Sequence, residues 1–235
     1  MAETGSTNDD LAAAARAGEP AGAVLVADHQ TAGRGRLGRR WEAPPGASLL
    51  VSVLLRSTAA TSSRLHGSIH AVGLAARAAC ADVAGFTPGL KWPNDLVADD
   101  RKLAGVLAEA VMVEGVVTAV VVGMGLNIEW PPEPTEEAVA LRWLAGAPVD
   151  HDRLLNGFLE HLANRVAQWQ DDPAGLVRDY RAALVTLGRD VRVVLPSGEV
   201  VGQATDVTED GQLVVDTGHD VVTVAVGDVI HVRSV

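Results

Sequence analysis

The chain has 235 residues, 48% of them hydrophobic, with 19 Lys and Arg against 30 Asp and Glu for a formal net charge of −11. That acidic balance argues against a general nucleic-acid or acidic-membrane partner, and the lone Cys80 excludes an internal disulfide framework. Residues 1–10 are polar and no apolar run approaches the ~18 residues that suggest a membrane span, so neither a signal peptide nor a membrane helix is expected.

Ser6-Thr7-Asn8 offers N-cap chemistry, with Asp10 three residues after Thr7 as an Asp variant of the capping box. A helix is expected over about 8–17, ending at Gly18, then a short strand over 23–27. The segment 33–41, Gly-Arg-Gly-Arg-Leu-Gly-Arg-Arg-Trp, reads as an irregular loop running into two prolines. A buried strand follows over 49–55, and a long Ala-rich helix over 62–84 stops at Gly85. Strands are expected at 90–92, 103–110 and 116–123, the last two as a hairpin around 113–115. Three helices follow, at about 136–144, 152–170 and 174–186; Leu154, Leu155, Phe158, Leu162 and Val166 give the middle one its apolar face. From Gly188 the chain turns β-rich, with turn signals at Ser197-Gly198, Asp210-Gly211 and Thr217-Gly218. The expected division is a large domain over 1–187 and a small barrel of about five strands over 188–235. So small a core is marginal alone, so the barrel is expected to dock on the larger domain.

Four arginines interleaved with three glycines in an acidic protein imply a specific anion. Gly33, Gly35 and Gly38 match the spacing G-x-G-x-x-G, but Arg-Arg-Trp-Glu-Ala-Pro-Pro-Gly follows where a dinucleotide fold opens a helix. No Gly-Lys-Ser/Thr occurs, which excludes a P-loop. Against a merely solvated basic loop stand the bidentate chemistry of arginine and the close backbone approach that glycine permits. Ordering eight residues costs on the order of 10 kcal/mol, and each hydrogen bond to a charged group returns roughly 1.5–3 kcal/mol. The loop is therefore expected to be disordered without a ligand and to close over an anionic one.

Lys91-Trp92-Pro93-Asn94-Asp95 puts a lysine at a strand end, where Pro93 blocks further pairing. Taken alone, that reads as a surface lysine. Arg101 to Gly105 and Gly123-Met124-Gly125-Leu126-Asn127 follow, the last again with glycines for close approach.

The ordered set of Ser6-Thr7-Asn8, Gln30 through Trp41, Lys91 through Asp95, Lys102 through Glu109 and Gly123 through Asn127 closely resembles the biotin protein ligases. The resemblance covers nearly the whole chain. It implies an α+β fold, with a mixed central sheet and flanking helices like those of class II aminoacyl-tRNA synthetases, plus a small SH3-like barrel. It implies a two-step reaction in which biotin and MgATP give biotinyl-5′-adenylate, which then acylates a lysine of a biotin carboxyl carrier domain. The position of each motif implies that Ser6, Thr7, Asn8, Gln30, Gly33, Arg34, Gly35, Arg36 and Lys91 bind biotin. Likewise Arg34, Arg36, Arg39, Trp41, Lys91, Asn94 and Asn127 serve ATP or the adenylate. Lys91 and Arg36 are the expected catalytic pair, offsetting with Mg²⁺ the repulsion between a carboxylate and a triphosphate; no Mg²⁺ ligand is assigned. No side-chain nucleophile is needed, because the biotin carboxylate attacks. A homodimer is compatible with the resemblance.

Some family members begin with a DNA-binding helix-turn-helix. This chain starts at the Ser-Thr-Asn motif, so no DNA-binding role is expected. Members usually carry a strand before that motif; with five residues ahead of Ser6, either a truncated start or a missing edge strand is expected. Lipoate–protein ligase is the nearest alternative, and a non-catalytic adenylate-binding protein the alternative of a different class.

Overall fold

The computed structural model describes residues 1–56, 62–195 and 198–232, with 62–65 as backbone alone. In chain order the elements are β1 (Glu3–Thr4), α1 (Thr7–Arg16), β2 (Val24–Ala27), β3 (His29–Gln30), β4 (Ser48–Leu55), α2 (Ser62–Ala84), β5 (Gly89–Lys91), β6 (Asp95–Ala98), β7 (Arg101–Val113), β8 (Val116–Asn127), α3 (Leu141–Ala145), α4 (His151–Asp171) and α5 (Pro173–Ala183). Then come β9 (Asp190–Leu195), β10 (Gly198–Val207), β11 (Leu213–Asp216), β12 (Val221–Val224) and β13 (Asp228–His231).

Six strands form one sheet in the order β2-β4-β8-β7-β6-β5, antiparallel at each pairing. Among the described residues, parallel pairing is confined to β1 with β3 and two isolated bridges, Leu90–Leu184 and Lys102–Ala138. All eight residues of β4 are buried, because helices cover both faces of the sheet. Leu49, Val51, Val53 and Leu55 join the main core beneath α2, whereas Leu54 meets Leu11, Ala15, Val111, Ala119 and Val121 beneath α1. The two-residue period of a strand then decides what faces α1. In β4 that is Ser52, and in β8, whose Val122, Met124 and Leu126 belong to the main core, it is Gly123 and Gly125. The β7–β8 hairpin turns through Glu114 and Gly115, both at positive φ, as a two-residue type I′ connection needs.

Several expectations shift. Of the residues before Ser6, Glu3 and Thr4 form a short strand: β1 pairs with β3 through Glu3–His29 and Thr4–Gln30 as a two-stranded sheet of its own, so the six-stranded sheet gains no edge strand from it. The chain after Lys91 does return to the sheet, since Pro93 lies in the turn between β5 and β6 and Lys91 pairs with Asp95. The helix expected at 136–144 shrinks to α3. Residues before it run extended beside β7, tied by Lys102 N–H to Glu137 O and Val139 N–H to Lys102 O. The turn signal at Ser197 lies outside the described residues.

The second sheet has the order β12-β11-β10-β9-β13 and buries Val191, Val193, Ala204, Val207, Leu213 and Val215. It docks on the first unit as expected. The Trp92 indole N–H donates to Gly211 O at 2.9 Å, and Arg181 binds Val207 O. Beside Gly211 the His70 ring stacks on Tyr180 with centroids 3.7 Å apart; burial, with a smaller push from His66, holds the His70 pKa down to about 3. Further out, Asp100 takes hydrogen bonds from Arg189 (2.7 Å) and His231 (2.9 Å), joining the turn before β7 to the ends of β9 and β13.

Candidate active site

A cavity of about 390 Å³ opens between the N-terminus of α1, the arginine loop, the β5–β6 turn and β13. Eleven of the residues expected from the sequence line it: Ser6, Thr7, Asn8, Gln30, Arg34, Gly35, Arg36, Arg39, Trp41, Lys91 and Asn94. Two expected residues lie elsewhere. Gly33 sits behind the loop in an adjoining hollow, and Asn127 is buried with its amide donating to Lys102 O and Val139 O. Asn127 therefore fixes the segment before α3 rather than facing the cavity.

One end of the cavity is a neutral hydrogen-bonding floor. Ser6 is the residue before α1 but makes no side-chain cap, so the expected capping role passes to Gln30. Gln30 Oε1 accepts from Thr7 N–H (2.8 Å) and lies 3.0 Å from the Thr7 hydroxyl, while Asp10 takes the Thr4 hydroxyl. The Ser52 hydroxyl has Asn8 Oδ1 at 2.6 Å and Thr7 Oγ1 at 2.7 Å. An amide oxygen only accepts, so the Ser52 proton goes to Asn8, and the one Thr7 hydroxyl proton turns to Ser52 Oγ or to Gln30 Oε1, not to both. The two Asn8 amide hydrogens go to Leu107 O (3.2 Å) and Glu109 Oε2 (2.7 Å).

Gly123 and Gly125 make room for this floor. A Cβ on Gly123 would overlap Asn8 Oδ1, and one on Gly125 would overlap the Trp41 indole, which lies on the sheet. Asn8 cannot yield, since its amide is held from three sides. Gly123→Ala is expected to weaken binding of a ligand at this end by about 10- to 100-fold and to cost roughly 1–3 kcal/mol of stability. Calorimetric titration with biotin beside a thermal melt measures both; an unchanged dissociation constant would remove the floor from the site.

The other end is cationic. Arg34, Arg36, Arg39, Arg40, Lys91 and Lys102 all line the cavity. The loop is a small hairpin, with Gly35 N–H donating to Arg39 O (2.7 Å), Trp41 N–H to Gly33 O (3.0 Å), and Leu37 and Gly38 at positive φ at its tip. Its arginines meet the protein's own carboxylates. Arg34 pairs with Asp9 (2.5 Å) and Glu109 (2.8 Å), and Arg39 with Asp228. Arg36 donates to Asn94 Oδ1 (3.3 Å) and Gly227 O (3.2 Å). The expectation of disorder set the ordering cost against a ligand alone and left out these carboxylates. Lys102 pairs with Asp95 at 2.7 Å and stands 5.8 Å over the Trp41 ring. The Trp41 indole N–H is buried with no hydrogen-bond partner among the described residues. Lys91 likewise has no hydrogen bond or ion pair there. Burial lowers its pKa against the pull of Asp95 and Asp100, and burial also lowers that of Arg36.

Sequence reasoning missed Asp95, Asp228 and the apolar Val194, Val229 and Ile230, which line the cavity, and Glu109, which borders the adjoining hollow. Glu109 and Asp95 closed motifs already singled out. Asp228 had no local signal, because nothing in its own stretch points at residue 39.

Residues 4–127 match the biotin/lipoate A/B protein ligase family, and residues 186–232 match the biotin protein ligase C terminal domain. The chain belongs to the biotin/lipoate A/B protein ligase family. It is 42% identical to the biotin--[acetyl-CoA-carboxylase] ligase of Mycobacterium tuberculosis, over 99% of this chain and 88% of that protein. It is 26% identical to the bifunctional ligase/repressor BirA of Bacillus subtilis, over 89% of this chain and 66% of that one. Among solved structures, the biotin protein ligase from Aquifex aeolicus in complex with biotin and ATP superposes with a TM-score of 0.83 at 26% identity, covering 100% of this chain and 97% of that chain. The α+β fold expected from the motifs is therefore the fold of this ligase family. No helix of the described residues is long and apolar enough to cross a membrane.

Proposed function

We propose that this ligase-family chain activates biotin with MgATP and transfers it to a lysine of a biotin carboxyl carrier domain. The observation that carries the reading is the two-ended cavity, with a neutral hydrogen-bonding floor at one end and six cations at the other. A ureido ring suits the floor, since Gln30, Thr7 and Ser6 offer both donors and acceptors. The carboxylate of the same ligand then reaches the cationic end.

In the first step a biotin carboxylate oxygen attacks the α-phosphorus of ATP. The bond from that phosphorus to the bridging oxygen breaks, and pyrophosphate leaves. Lys91 stabilises the charge growing on the α-phosphate, a role open to it because no protein carboxylate holds it. Arg34, Arg36 and Arg39 exchange carboxylate partners for phosphate oxygens, and Asn94 holds Arg36 in place. Trp41 and the strip of sheet at Gly105 and Gly125 suit the adenine end, with the free indole N–H as a donor. Mg²⁺ enters with the triphosphate: among the described residues no three acidic, His or Cys groups form a metal cage, and the carboxylates at hand are Asp95 and Asp228. In the second step the neutral ε-amine of the carrier lysine attacks the acyl carbon, the bond to AMP breaks, and the amine loses its proton. A loop covering the mixed anhydride protects it from water.

The division into 1–187 and 188–235 fits the separation of the two sheets. A carrier of acetyl-CoA carboxylase, a cytoplasmic setting and a homodimer accord with the ligase reading. The test is incubation with biotin, MgATP and an isolated carrier domain, followed by avidin detection. Carrier labelling dependent on both substrates is expected; with lipoate in place of biotin, a mass shift of the carrier by one lipoyl group, read by intact-mass measurement, would instead favour the lipoate relative.

A further inference from the structure

Glu109 stands at the back of the site, reached from two directions. It lies on the α1-facing side of β7, two residues beyond Leu107, and borders the hollow behind the arginine loop rather than the main cavity. A single oxygen, Oε2, accepts from Asn8 Nδ2 at 2.7 Å and from Arg34 Nη2 at 2.8 Å. Through Asn8 and Ser52 it continues to Thr7 and Gln30. One carboxylate thus terminates the hydrogen-bond chain of the floor and also anchors the first arginine of the loop.

Resting on the biotin-ligase reading above, we infer that Glu109 is a positioning residue that couples the floor to the loop: a ligand seated against Thr7, Asn8 and Gln30 fixes the carboxylate that orients Arg34. A shared acceptor makes this coupling physical. If Asn8 shifts by a few tenths of an ångström, Oε2 shifts with it, and a charge-assisted bond to Arg34 at 2.8 Å is sensitive to such a displacement. Asp9, the other partner of Arg34, is on α1 and exposed, and among the described residues its carboxylate has no hydrogen bond to Thr7, Asn8, Gln30 or Ser52, so it holds the arginine from outside the floor network.

Glu109→Gln keeps an oxygen that can accept from both Asn8 and Arg34 but removes the charge, which weakens the bond from the cationic Arg34 far more than the bond from the neutral Asn8 amide. Biotin affinity measured alone is expected to change less than about threefold, whereas release of preformed biotinyl-adenylate accelerates about tenfold or more. Glu109→Asp retains the charge on a shorter arm that cannot meet both donors, so it is expected to release adenylate faster than the unsubstituted protein as well. Thermal melts of both variants check folding. Equal adenylate release in Glu109→Gln and the unsubstituted protein would overturn the inference. So would a parallel loss of biotin affinity and adenylate retention, because that is the signature of a damaged floor alone. Failure of the unsubstituted protein to form adenylate would instead fail the ligase reading itself, and the inference with it.

Discussion

Lys91→Ala is expected to lower the rate of biotin-dependent pyrophosphate release by about 100- to 1,000-fold, the range for removing one preorganised donor from a developing anion. Its fold should scarcely notice. Lys91 makes no hydrogen bond or ion pair with any described residue, and burial already opposes its charge. Truncation leaves no protein group unpaired, and the stability change should stay within about 0.5 kcal/mol. The same burial gives a pH signature. A lysine whose pKa is lowered stays charged below that pKa and loses its proton above it. Pyrophosphate release should therefore fall on an alkaline limb that begins below the range of an ordinary lysine. In Lys91→Arg, where the guanidinium keeps its charge, whatever activity survives should lack that limb. Pyrophosphate assays across pH, paired with thermal melts, measure both effects. Full activity in Lys91→Ala would remove this lysine from the chemistry.

Arg36→Gly is expected to release biotinyl-adenylate about 100-fold faster and to label bystander lysines. The estimate follows from two bonds made by a charged donor, each contributing roughly 1.5–3 kcal/mol. Arg36 is the loop's tie to two different walls, through Asn94 on the β5–β6 turn and Gly227 beside β13. Its side chain is only 18% exposed, against 58% for Arg39, so its loss uncovers more of the site than the loss of its neighbour. Glycine also widens the conformations open to the segment. Adenylate lifetime after rapid gel filtration, together with biotin incorporation into an unrelated protein such as serum albumin, reads the effect. A lifetime equal to that of the unsubstituted protein would count against the loop as a lid.

What was legible in the sequence was mostly local. α2 matched its expected span, because an Ala-rich run ends at Gly85, whose φ of +65° stops a helix cleanly. The hairpin of β7 and β8 followed from Glu114-Gly115, although both strands run further than expected. Motif residues converged because strand ends and one helix N-terminus place them at the same edge of the sheet. The misses were relational. β6 is four residues long and follows a proline, so its only credential is its pairing with β5 and β7. Asn127 stands in a motif yet spends its amide on two carbonyls, one of them twelve residues away. Glu109 and Asp228 acquire meaning only from partners 101 and 189 residues distant, which no periodicity announces.

The small C-terminal sheet touches both walls of the cavity with backbone oxygens: Gly211 O receives the Trp92 indole, and Gly227 O receives Arg36. Both residues have positive φ, and a Cβ at either would collide, with His66 and His70 at one and Val193 at the other. Carbonyl groups are common to every residue, so side-chain drift elsewhere on this sheet leaves these contacts intact. What they cannot survive is a change of spacing. A one-residue insertion or deletion in the loops carrying Gly211 or Gly227 would move an acceptor by about 3.3 Å, one strand residue. Natural variation in this part of the chain should therefore be generous in letters and strict in length.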